Sequence, residues 1–108
     1  MKEFFIMSLI YQVIQERSSD EPPAIEWSDL YPEKFDTMLS ELYNLGLMYF
    51  TFSIVSPNVV HNILHFTSAE SFQQYEIGIV SLPEYIERTE YERQNNVSRR
   101  IISQKYIS

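Results

Sequence analysis

The hydrophobic pattern changes period several times along the chain, and each change marks an element. From Phe4 to Ile14 apolar residues occupy both alternating faces: Phe4, Ile6 and Ile10 on one, Phe5, Met7 and Leu9 on the other. The run is rich in strand formers and has no wet side, so it predicts a strand covered on both faces. Phe35, Met38, Leu39, Leu42 and Leu45 recur with helical spacing after Pro32. With Gly46 as the stop signal they predict a helix over 32–45. "LMYFTFSIV" (47–55) and "VVHNILHF" (59–66) then read as a hairpin about Ser56-Pro57-Asn58. A three-residue loop pairs Ser56 with Val60 and even positions with even throughout, with Asn58 in the left-handed conformation. That register gathers Met48, Phe50, Phe52 and Ile54 with Val60, Leu64 and Phe66, and leaves Tyr49, Thr51, Ser53, His61, Ile63 and His65 on a half-polar face.

The rhythm changes again at "HFTSAESFQQY" (65–75). Thr67-Ser68-Ala69-Glu70 has the spacing of a capping box, with Thr67 as the cap, and Phe72, Tyr75 and Ile79 form one buried stripe behind it. A second start, Ser81-Leu82-Pro83-Glu84, opens a helix expected to turn Tyr85, Ile86 and Thr89 inward and to present its Glu and Arg residues as a solvated face. Asn95-Asn96 stops it, and Val97–Ile107 is rich in β-formers. The residues between, Arg17–Tyr31, read as a long acidic loop in which Ile25 and Trp27 pin the segment to the core.

The order strand, helix, strand, strand, helix pair, strand predicts one α+β domain over 1–108. Right-handed crossovers give it a ferredoxin-like βαββαβ topology, both helices on one face of a four-stranded antiparallel sheet. "ILHFTSAESFQQY", a strand running into Ser-x-Glu and an aromatic-bearing helix, together with this order, resembles the dimeric α+β barrel superfamily, which includes antibiotic-biosynthesis-monooxygenase-like proteins. The resemblance implies a homodimer sandwiching the sheet faces. It also implies a small-molecule pocket with monooxygenase-like or proton-transfer chemistry, since members include cofactor-free oxygenases, haem-degrading enzymes and isomerases. The Asn, Trp and His set of the haem-degrading members has no positional match in Asn44, Trp27, His61 or His65.

Composition narrows this further. The net charge is −7, with eight acidic residues between Glu16 and Glu41, and disfavours phosphate backbones. Cysteine is absent, which excludes disulfides and thiolates. "MKEFFIMSLIYQVI" lacks a cleavage site and is too short to span a bilayer, so it reads as folded sequence in a cytoplasmic protein. His61 and His65 share a helical face in principle, but on a strand they stand roughly 13 Å apart, too far for one metal ion. No cofactor is expected. As catalytic candidates the two histidines serve as general bases in a pocket with Tyr11, Tyr49, Thr51, Ser53 and Trp27. The plainer reading makes them polar spacers at a dimer seam. The alternative function is a non-catalytic acidic module that engages a basic partner through Asp20, Glu21, Glu26 and Asp29.

Overall fold

A computed structural model describes residues 9–21 and 26–108 of the 108-residue chain. The elements are β1 (Ile10–Ser19), α1 (Trp27–Leu30), α2 (Pro32–Asn44), β2 (Tyr49–Ser56), β3 (Val59–Phe66), α3 (Ala69–Ile79), α4 (Pro83–Gln94) and β4 (Val97–Ile107). The strands form one antiparallel sheet in the order β2-β3-β1-β4, the expected α+β ferredoxin-like topology. Phe4–Ser8 of the expected first strand and Ile25 of the loop lie outside the described residues.

The first strand runs further than its composition suggests. Arg17 and Ser18 pair with Val60 and Val59 on one side and with Arg99 and Ser98 on the other. Two ladders hold these polar residues extended, so the acidic connection is shorter than expected from Arg17. Trp27 at its end is buried, as a pin to the core must be.

The hairpin faces are as expected, even positions opposite even: Phe50↔Leu64, Phe52↔Asn62, Ile54↔Val60. The turn differs. An irregularity between Ile54 and Ser56 sets Ser56 opposite Val59, so Pro57-Asn58 makes a two-residue turn and the pairing slips by two from a three-residue loop. Asn58 keeps a negative φ; its amide Nδ2 donates to the Ser19 carbonyl at 3.1 Å and ties the turn to β1. The left-handed asparagine is Asn96 (φ 56°), where α4 hands over to β4.

All helices cover one sheet face. Val13, Leu64 and Phe66 on that face meet Met38 and Leu42 of α2 and Phe72, Tyr75 and Ile79 of α3 in the core. Gly46 ends the α2 turn at φ 118°, a conformation that side chains rarely adopt. Two expectations for α4 are corrected. Ile86 and Thr89 are exposed, whereas Arg88 and Glu92 turn inward with Tyr85. Tyr85, Arg88 and Glu92 stand at i, i+3 and i+7, so the helix buries charge where its neighbours bury hydrocarbon. No helix among the described residues is long and apolar enough to cross a membrane.

Candidate functional site

Between the helices and the sheet lies a cavity of about 610 Å³. Its floor follows the strand register. One transverse row is Phe52, Asn62, Gln15 and Ile101, each opposite the next across β2, β3, β1 and β4. The row beside it, Phe50, Leu64 and Val13, is wholly apolar, and Val60 and Arg99 lie on the far side. The roof is Met38, Leu39 and Leu42 from α2, then Phe72, Tyr75 and Ile79 from α3. Tyr85 and Arg88 of α4 close one end, with Glu26, Ser28 and Asp29 at the rim. The space is dry toward Phe50 and polar toward Arg99. That is the composition of small-molecule sites, apolar walls with a few convergent polar groups.

The polar end is a charge network on three elements. Arg99 grips Glu92 with both arms, Nε to Oε1 at 2.7 Å and Nη2 to Oε2 at 2.7 Å, and its Nη1 donates to Gln15 Oε1 at 2.6 Å. Arg88 Nε reaches the same Glu92 Oε2 at 3.5 Å, and Arg17 pairs with Glu26. The side chains of Arg17, Arg88, Glu92 and Arg99 are 11%, 21%, 9% and 17% exposed. Burial lowers the Arg88 guanidinium below its usual value, and Arg17 reinforces this while Glu92 opposes it. Burial also pushes the Glu92 carboxyl up, against the pull of Arg88; the two-armed Arg99 contact is the geometry of a carboxylate, and Glu92 is ionised. Tyr75 is raised by burial and stays a neutral hydroxyl donor. In the middle of the floor the Asn62 carboxamide makes no side-chain hydrogen bond among the described residues.

The residues expected to form the pocket lie elsewhere. His61, His65, Tyr49, Thr51 and Ser53 stand on the opposite sheet face, brought together as the pattern requires but away from the cavity, and neither histidine lines it. There His61 Nε2 lies 3.2 Å from Glu16 Oε2, and Arg100 donates to Glu16 Oε1 at 3.0 Å. The His61 hydrogen bond first, then Arg100, holds the Glu16 carboxyl below its ordinary value. His65 is buried under the Tyr49 ring, stacked at 4.2 Å, with Gln12 Nε2 at 3.3 Å from its Nε2 and its Nδ1 without a partner among the described residues. Tyr11 packs edge-on against Tyr106 at 4.9 Å and donates to Gln104. Neither Tyr11 nor Trp27 lines the cavity. The acidic set divides: Asp20 and Glu21 are exposed, while Glu26 and Asp29 border the cavity. The groups missed by sequence reasoning are Gln15, Asn62, Arg88, Glu92 and Arg99. Only the i, i+3, i+7 stripe of α4 carried a signal for any of them.

No family model matches the sequence, and no curated protein matches it. Solved structures do share its architecture. A dimeric ferredoxin-like protein from an uncultured marine organism is similar over 91% of this chain and 94% of its own, at 14% identity and a TM-score of 0.63. A second dimeric ferredoxin-like protein from an uncultured marine organism covers 92% and 95%, at 11% identity and a TM-score of 0.58. A conserved protein of unknown function from Bacteroides thetaiotaomicron, a "possible oxidoreductase", covers 94% and 100%, at 7% identity and a TM-score of 0.51. At these identities the fold is what is shared. The chain has a ferredoxin-like architecture, as its element order led one to expect.

Proposed function

We propose that this chain binds a small, mostly apolar molecule in the cavity between its helices and its sheet, and works as a homodimer paired through the other sheet face. The cavity carries the reading: about 610 Å³ roofed by aliphatic and aromatic side chains, with Asn62 and Tyr75 among its few polar groups. The pairing is supported by the dimeric ferredoxin-like neighbours and by the composition of the open face, where Ile14 and Ile63 lie side by side between rows containing His65 and His61. Burying such aliphatic area contributes about 25 cal/mol per Å².

The finer chemistry is proton transfer or a monooxygenase-like reaction on a phenolic or enolic ligand. Asp29 or Glu76, the exposed carboxylates of the wall, accept the proton that such a ligand gives up. Neutral donors at Asn62 and Tyr75 stabilise the anion left behind, and the surrounding hydrocarbon limits water. His61 and His65 then belong to the dimer seam as polar spacers. The acidic-partner reading loses support because Glu26 is committed to Arg17 and Asp29 borders the cavity.

Titration calorimetry with 1-decanol tests the binding. One saturable site per chain is expected, and Asn62→Phe, which sets a ring on the middle of the floor, should weaken it at least tenfold while leaving the circular dichroism unchanged. Absence of saturable binding to the wild type, or equal binding by Asn62→Phe, contradicts the reading.

A further inference from the structure

We infer that the polar end of the cavity recognises the carboxylate of an otherwise apolar small molecule, and that Arg88 is the residue that holds it. The inference rests on the cavity being a ligand site and adds the class of ligand.

The buried charges at this end do not balance. Three guanidiniums, those of Arg17, Arg88 and Arg99, share two carboxylates, Glu26 and Glu92. Glu26 is taken by Arg17. Glu92 is gripped by both arms of Arg99, and the oxygen that Arg88 Nε approaches at 3.5 Å is the one Arg99 Nη2 already holds at 2.7 Å. The remaining carboxylates of the wall, Asp29 and Glu76, are exposed, screened by solvent, and form no ion pair with Arg88 among the described residues. One positive charge is therefore left over, on a largely buried side chain that lines the cavity. A guanidinium presents five N–H donors in a planar fork, and among the described residues this one spends a single donor, on a long contact.

A buried cation without a full partner is costly, and the occupant that relieves it must be an anion. The surplus is one charge, which matches a monoanion rather than a phosphate dianion. The fork is planar, which matches a carboxylate bidentately. Away from that end the floor and roof are mostly hydrocarbon, with Asn62 and Tyr75 among them, so the body attached to that carboxylate is mostly apolar.

Decanoate and 1-decanol differ in the head group and share the hydrocarbon body. At pH 7.5 the wild type should bind decanoate about tenfold or more tighter than decanol, as charge-assisted pairing predicts. Arg88→Met leaves the Arg99–Glu92 grip and the Arg17–Glu26 pair intact; its affinities for decanoate and decanol should become equal. Arg88→Lys, which keeps the charge and removes the fork, should retain part of the preference for decanoate. Equal affinities in the wild type, or an undiminished preference in Arg88→Met, overturn the carboxylate assignment while the cavity reading stands. Failure of both probes overturns the cavity reading and this inference with it.

Discussion

Ser68 carries the start of α3 on one hydrogen bond, its Oγ accepting from the Ser71 N–H at 3.0 Å. Removing that acceptor orphans a first-turn amide. Ser68→Ala should lower stability by about 1 kcal/mol in urea titration, whereas Thr67→Ala, at an exposed position one residue earlier, should change little. Equal losses at the two sites would show that the cap is misassigned. The two residues are chemically alike, so the junction was legible in the sequence and the identity of the cap was not; only the backbone direction at Ser68 (φ −162°, ψ 166°) separates them. Arg88 and Glu92 pose the same difficulty in stronger form. On a helix with three other glutamates they read as solvent-facing charge, and their burial depends on Arg99 arriving from β4, which no local pattern announces.

At the scale of elements, α2 roofs the cavity and α4 closes one end of it, so the contact between the two helices bears on its shape. Lys34 of α2 donates to Glu87 of α4 at 2.7 Å, with both side chains well exposed, so this pair contributes little. Further along, Glu41 of α2 meets Glu84 in the first turn of α4, and each has one oxygen buried at the contact. Burial first, and then Glu84, raises the Glu41 carboxyl above its ordinary value. The folded chain thus holds this proton more tightly than the unfolded chain does. The resulting stability is complete below the unfolded carboxyl's range and is lost as pH rises through the folded value. Glu41→Gln, permanently neutral, should therefore raise Tm at pH 7.5, and the gap to the wild type should close as the solution is acidified. A gap that is constant with pH, or reversed, would remove the carboxyl contact from the account. Periodicity found α2 because its stripe is purely apolar, and strand composition found β3 to the residue. The second half of β1 is not legible in the sequence, because its residues are polar and are held extended by partners on both sides.

Among the described residues the sheet has one face under helices and no element on the other, and topology assigns the roles. Element order was enough to read the ferredoxin-like sheet, since few right-handed connections satisfy it. It could not say which side holds the cavity. The half-polar face of the hairpin looked like a pocket wall because its polar residues cluster in sequence. The real wall draws Gln15, Asn62, Arg88 and Arg99 from four separate elements, and their rows exist only after the sheet has paired. For the proposed dimer, Ile63→Arg places a charge in the middle of the open face. Sedimentation equilibrium should give twice the 12.9 kDa chain mass for the wild type and 12.9 kDa for the variant. A variant that stays paired, or a wild type that is monomeric at micromolar concentration, would put the seam elsewhere or remove it.

The central claim is one of location, that a ligand enters beneath the helices and not between the sheets. Methyl-labelled protein titrated with 1-decanol and followed by two-dimensional NMR reads this directly. Shifts concentrated on Val13, Leu42, Leu64 and Ile79 are expected, with Ile14 and Ile63 unmoved. Shifts confined to Ile14 and Ile63, or none at saturating ligand, would contradict it.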